Sequence, residues 1–124
     1  MGQYHVIVNL DLRECLWSDV GLKAWEQLVN RPGPCQALFV LLLTSNRRGG
    51  GDLYTPEPHG ERVYGRWAGC RLAVAGDYAE PSDFLTLPSD PCPSQLYNLC
   101  AEGIFRDVGP LVADILTGEF KYLR

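Results

Sequence analysis

The sequence predicts one α+β domain over residues 1–124, with an antiparallel sheet of about three strands and helices packed mainly on one face. Apolar and polar residues alternate over residues 4–11, as they do in a half-buried strand. Two strand-like runs flank Ala68-Gly69, a possible two-residue hairpin turn. A chain of 124 residues with 46% hydrophobic residues suits a single folded core, and its net charge of −4 argues against a general nucleic-acid coat.

The N-terminal quarter predicts a strand and then a helix. In the strand, Val6 and Val8 share one face with Tyr4 and Leu10, and the other face carries His5, Ile7, Asn9 and Asp11. Ser18 is placed to cap a helix over residues 19–30, which the Pro-Gly-Pro at 32–34 ends. The side of this helix expected to pack on the core consists of Leu22, Trp25, Leu28 and Val29.

Residues 37–43 are continuously apolar, so periodicity does not separate a helix from a central strand. Alanine and the leucines favour the helix, and the strand stays open as the alternative. A helix here places the three glycines 49–51 after its C-terminus, whereas phosphate loops precede a helix N-terminus. No Gly-Lys-Ser/Thr is present, which excludes a Walker-type nucleotide site.

The predicted hairpin gives a definite register. Its turn places Trp67 opposite Cys70 and Arg66 opposite Arg71, with the apolar face on the core. Like charges directly opposite are destabilising, so a carboxylate or a bound anion is expected to neutralise the two arginines.

The last third of the chain predicts a loop and two packing helices. Residues 79–93 are rich in proline and form either a mobile flap or an ordered wrap pinned by Phe84, Leu85 and Leu87. The first helix begins near residue 93 and stops at Gly103, and Asp107 caps the second. Leu111, Val112, Ile115 and Leu116 are expected to face inward.

The five cysteines are Cys15, Cys35, Cys70, Cys92 and Cys100. Their number is odd and no pair is spaced as CxxC, so they do not match a standard zinc site. The start lacks a secretory signal and no apolar run approaches membrane-spanning length, which together predict a cytoplasmic protein with reduced thiols. A Cys92–Cys100 bridge and a nucleophilic Cys70 remain alternatives.

The candidate ligand site lies within residues 47–78. Two arginines precede three glycines, whose N–H groups are able to form an anion-binding concavity, and two more arginines lie in the hairpin. Trp67 or Tyr78 is available to stack on a base. The predicted site residues are Arg47, Arg48, Gly49, Gly50, Gly51, Asp52, Arg66, Arg71, Asp77 and Tyr78. The competing interpretation is a flexible loop beside a solvated hairpin face.

Three function classes follow from these residues. The first is a non-enzymatic binder of an anionic, nucleotide-like ligand, without a further cofactor. The second is a metal-dependent hydrolase in which Asp11, Asp52 and Asp77 converge on Mg²⁺ or Mn²⁺, unless these carboxylates only cap turns. The third is a protein-interaction module or homo-oligomer that pairs through a sheet edge. Binding ranks above catalysis because no nucleophile and base can be paired in the sequence.

Several short motifs resemble a family of small uncharacterised bacterial and phage proteins that begin with MGQY. They are MGQY at 1–4, VNLD at 8–11, RGGGDL at 48–53, WAG at 67–69 followed by Arg71, and GDY at 76–78. In that family the turn reads Trp-Ala-Gly-Asp-Arg, and this chain has Cys70 in place of the aspartate. The resemblance implies an intracellular bacterial or phage protein, consistent with a factor that sequesters a host signal or counters a host defence.

Overall fold

One central strand, β1 (Tyr4–Asn9), organises the sheet. It pairs antiparallel with β2 (Glu14–Leu16) and β3 (Leu22–Lys23) along one edge and with β4 (Leu72–Gly76) along the other. A two-residue strand, β5 (Arg106–Asp107), extends the sheet by pairing in parallel with β2. This computed structural model describes residues 2–18, 21–30, 33–86 and 93–121.

The sheet is therefore mixed and has five strands, which corrects the prediction of a purely antiparallel sheet of about three. Two of the additional strands, β3 and β5, are only two residues long. Such short segments have no alternation to read, and a parallel pairing between distant segments has no local sequence signal.

In the described part of the chain, four helices surround this sheet: α1 (Ala24–Val29), α2 (Pro34–Leu42), α3 (Leu96–Ala101) and α4 (Gly109–Phe120). α2 confirms the helical interpretation of the apolar run at 37–43. Within the described ranges, no helix has both the length and the apolar character needed to cross a membrane. Single 3-10 turns occur at Pro58–Gly60, Pro81–Asp83 and Pro93–Gln95.

Apolar side chains cover both faces of β1. Ile7 points to a core cluster that α2 and α4 share, whereas Val6 and Val8 point to a second cluster completed by α3. The predicted alternation of β1 is confirmed. The expectation of helices mainly on one face is corrected, because α3 covers the opposite face and creates the second core.

The predicted hairpin does not form. Residues 64–69 make a series of turns, and β4 pairs with β1 instead of with residues 63–67. The N–H groups of Gly65 and Trp67 donate to the carbonyl oxygens of Val40 (3.1 Å) and Leu41 (2.8 Å). These carbonyls belong to the last turn of α2, where helical partners run out. The segment therefore caps α2 instead of pairing as a strand, and Arg66 does not lie opposite Arg71.

The helix predicted at 19–30 is shorter in the structure, and the apolar side chains that it carries face solvent instead of the core. Leu22 lies in β3, opposite His5, and the helix begins only at Ala24. Trp25 is 72% exposed and Leu28 61%, so the apolar stripe is not core. The proposed cap at Ser18 is wrong for a helix that begins at residue 24, and positions 19–20 lie outside the described residues.

The C-terminal predictions are largely confirmed. α3 ends before Gly103, whose φ of 75° suits glycine, and Asp107 accepts the first N–H of α4, from Gly109 (2.9 Å). Phe84 packs on the second core while Leu85 is fully exposed, and Leu87 lies outside the described residues. Free thiols are found at Cys15, Cys35, Cys70 and Cys100. The proposed Cys92–Cys100 bridge is therefore not formed, and Cys92 itself lies outside the described residues.

Candidate functional site

A surface pocket of about 260 Å³ lies beyond the C-terminus of α2. Its walls come from residues 43–48 and from the segment 57–64 that leads to the α2 cap. Three arginines line it: Arg47 and Arg48 from the first wall, and Arg62 from the second. We call this feature the arginine pocket.

The loop that carries two of these arginines has a fixed neck. The Asn46 side chain donates to the carbonyl oxygen of Leu53 (2.9 Å) and accepts its N–H (3.1 Å), which joins the two ends of the loop. Ser45 and Arg47 have φ values of 57° and 66°, a conformation that residues other than glycine rarely adopt. Backbone strain of this kind is common at binding sites.

One N–H of the predicted glycine cradle, that of Gly49, is taken by a side chain of the protein itself. Asp52 Oδ2 accepts the N–H groups of Arg48 (2.7 Å) and Gly49 (3.1 Å). Gly49, Gly50 and Gly51 are exposed and do not line the arginine pocket. The loop amides thus already bind an anion, the Asp52 carboxylate, so an external ligand would depend on the arginine side chains.

The charges in the arginine pocket are unbalanced. Glu57 is the one carboxylate among its described lining residues, and Glu57 Oε2 accepts N–H groups from Val63 and Tyr64. Within the described chain, the three arginines make no ion pair. Arg47 donates to the carbonyl oxygen of Tyr54 (2.5 Å) and Arg62 to that of Tyr64 (3.3 Å). Among the lining residues three cations face one anion, a formal surplus of +2. Two further carboxylates lie next to this lining: Asp52 accepts the N–H of Arg48, and Glu119 accepts the N–H of Tyr54, whose carbonyl oxygen Arg47 binds.

Tyr64 adds an aromatic ring with a neutral hydroxyl. Burial, followed by the nearby Glu119 carboxylate, raises the pKa of Tyr64 to about 12. The hydroxyl donates to the carbonyl oxygen of Thr55 (2.7 Å), which fixes the ring at the pocket wall. At neutral pH the ring is therefore an uncharged surface beside the arginines.

Arg66, predicted to bind a ligand, forms an internal ion pair with Glu14 instead. It donates to both carboxylate oxygens of Glu14, the shortest contact being 2.6 Å, and to the carbonyl oxygen of Arg62 (2.8 Å). The Trp67 indole N–H donates to the same carboxylate (2.9 Å), and Trp67 is completely buried. Glu14 neutralises Arg66 inside the protein, and the burial of Trp67 removes it as a stacking surface.

Arg71, Asp77 and Tyr78 also lie away from the arginine pocket. Arg71 forms an ion pair with Asp11 (2.7 Å), and its backbone N–H also donates to the Asp11 carboxylate. The backbone hydrogen bond, followed by the side-chain hydrogen bond from Arg71, lowers the pKa of Asp11. Asp77 Oδ1 accepts the N–H of Tyr4 (3.1 Å) at the end of β4, and Tyr78 is exposed beside it.

The carboxylates Asp11, Asp52 and Asp77 do not converge, because each is engaged with different partners. In the described ranges, no three His, Cys, Asp or Glu side chains are grouped so that they could hold a metal ion. The three aspartates instead accept N–H groups of neighbouring backbone, as the alternative interpretation expected.

Of the ten predicted site residues, the structure brings Arg47 and Arg48 together in the arginine pocket and separates the others from it. Sequence reasoning missed Arg62, Glu57 and Tyr64. Arg62 lies 14 residues after Arg48 in the sequence, and its approach to residues 47–48 depends on how the segment that follows it caps α2.

No protein-family model matches the chain, and neither a curated protein nor a solved structure matches it.

Proposed function

We propose that the protein binds a small phosphate-bearing anion in the arginine pocket, without chemical conversion. The observation that carries this proposal is the formal surplus of +2 formed by Arg47, Arg48, Arg62 and Glu57. A phosphate monoester near neutral pH has a charge between −1.5 and −2, so it would balance that surplus. Guanidinium groups also match phosphate oxygens in pairs of hydrogen bonds.

The dimensions restrict the ligand. A pocket of about 260 Å³ is slightly smaller than the range typical of drug-sized ligands, so it suits a phosphoryl group with a small substituent. The Tyr64 ring offers a surface against which a sugar or base could lie. A mononucleotide is the nucleotide-like ligand that these dimensions favour, and its sequestration would be a means of acting on a host signal.

Replacing Arg48 or Arg62 by alanine is expected to weaken binding of a nucleoside monophosphate by about tenfold or more, because each change removes a charged hydrogen-bond donor. Isothermal titration calorimetry at low salt measures this, and binding of the intact protein should weaken as salt is added. Arg71→Ala is the matched control, because it changes the net charge equally but removes an arginine paired with Asp11 outside the pocket.

Equal weakening by Arg71→Ala and Arg48→Ala would show that general charge attraction is responsible, which contradicts a defined pocket. Absence of any binding to phosphate or nucleoside monophosphates at millimolar concentration would contradict the proposal outright. Release of inorganic phosphate from the ligand, followed by a colorimetric assay, would contradict the non-enzymatic part alone.

A further inference from the structure

A second and larger cavity, about 460 Å³, lies where the N-termini of α2 and α4 meet the end of β2. We call it the apolar cavity. Its floor consists of Leu16, Leu22, Ala37 and Leu116. Each of these side chains belongs to the core and keeps only 6 to 9% of its surface exposed. The volume lies within the range of small-molecule sites, and the floor has the apolar character of such sites.

The rim of the apolar cavity is polar. Ser18, Asn30 and Asp107 line it, and Asp107 is the one charged side chain among the described lining residues. Asp107 Oδ1 accepts the N–H groups of Trp17 (3.1 Å) and Gly109 (2.9 Å). Two backbone N–H groups thus hold the Asp107 carboxylate through Oδ1, and Oδ2 takes part in neither of these hydrogen bonds.

The charges of the described residues that line the apolar cavity nearly cancel. The first residues of α2 and α4, Pro34 and Gly109, both line it, so two helix N-termini end there. Each N-terminus is equivalent to about +0.5 elementary charge, and together they offset the single negative charge of Asp107. A charged group that lies against the apolar floor would lose part of its hydration there, and the described lining offers no net counter-charge.

We propose that the apolar cavity binds a neutral, mainly apolar small molecule of about the size of a bicyclic aromatic ring. One N–H or O–H of this molecule donates to the free oxygen of Asp107, and its rings cover the floor made by Leu16 and Ala37. This site is independent of the arginine pocket in both position and chemistry.

Three probes that share the indole ring test the proposal: neutral indole, anionic indole-3-acetate and cationic tryptamine. Indole is expected to bind with a dissociation constant at or below about 1 mM. Each charged probe should bind about tenfold more weakly or worse, because its charge is desolvated without compensation. Amide chemical shifts in two-dimensional NMR report binding, and the shifted signals should include Trp17, which lines the cavity.

Two variants locate the site. Ala37→Leu fills the floor and is expected to weaken indole binding at least about tenfold, since the added side chain takes the space of the ring. Asp107→Asn keeps an oxygen acceptor for the Trp17 and Gly109 N–H groups but loses the charge, and is expected to weaken indole binding about threefold. Arg48→Ala, in the other pocket, should leave indole binding unchanged.

Tightest binding of indole-3-acetate would show that the helix N-termini dominate, and tightest binding of tryptamine that Asp107 dominates. Either result overturns the balanced-charge proposal. Indole-induced shifts that avoid Trp17, or no saturation of indole binding at millimolar concentration, also overturn it. If Ala37→Leu does not fold, the Asp107→Asn titration and the position of the shifted signals still decide the question.

Discussion

Replacement of Glu14 by alanine is expected to lower the free energy of unfolding by about 3 kcal/mol, the lower end of the range for breaking a buried ion pair from one side. Glu14 is 5% exposed and accepts hydrogen bonds from Arg66 and Trp67. The change leaves a fully buried indole N–H without its acceptor and removes the nearest carboxylate from a largely buried guanidinium, which keeps a longer ion pair with Glu61 (3.6 Å). The lower end applies because Arg66 keeps its bond to the carbonyl oxygen of Arg62.

Urea denaturation followed by circular dichroism measures this loss. Glu14→Gln keeps an oxygen acceptor without the charge, so its effect should lie between those of Glu14→Ala and the unaltered protein. Asp11→Asn is the matched control, because it weakens an arginine–carboxylate pair that water screens. Similar unfolding midpoints for Glu14→Ala and Asp11→Asn would mean that the Glu14 network adds little to stability.

The same network makes stability depend on pH. Burial alone would raise the pKa of Glu14, but the hydrogen bonds from Arg66 and Trp67 outweigh it and the pKa is lowered. Because the folded pKa lies below the unfolded one, the stabilisation is complete above the ordinary glutamate pKa of about 4.3 and is lost as pH falls through the folded pKa. Below that value, the difference between Glu14→Gln and the unaltered protein should shrink.

The elements that the sequence predicts well are those whose own residues determine their burial. β1 alternates between two cores, α4 presents apolar residues at helical spacing, and α2 consists largely of residues that favour a helix. The failures depend on distant partners. Residues 64–69 look extended, but the N–H groups of Gly65 and Trp67 are taken by the end of α2. Similarly, α1 exposes its apolar stripe because Leu22 joins β3 instead.

The predictions for the candidate site likewise succeed where neighbouring residues decide the outcome and fail where distant partners do. The sequence indicates correctly that arginines 47 and 48 belong together, because they are adjacent in one loop. It does not reveal that Arg66 is neutralised by Glu14, 52 residues earlier, or Arg71 by Asp11, 60 residues earlier. Spacing along the chain carries no information about such pairs, so an arginine already neutralised by the fold resembles one that is available to a ligand.

The cap on α2 predicts a strong effect at Gly65. Gly65→Ala is expected to lower the free energy of unfolding by about 3 kcal/mol, combining the cost of left-handed backbone with that of forced contact. Gly65 has a φ of 68°, and an added Cβ would lie 2.8 Å from the carbonyl oxygen of Leu43. Relief of this contact requires movement of the Gly65 N–H, which now caps the Val40 carbonyl.

Gly69→Ala separates the two contributions, because Gly69 has a φ of 83° but no atom within 4 Å of an added Cβ. It should cost only the backbone part, about 1–2 kcal/mol. Thermal and urea denaturation of both variants provide the comparison. Equal losses for the two variants would indicate that the close approach of residues 63–67 to α2 does not stabilise the fold, and that backbone conformation alone requires glycine at both positions. A larger loss at Gly65 would identify this approach as the contact that closes the first core and positions Arg62 beside Arg47 and Arg48.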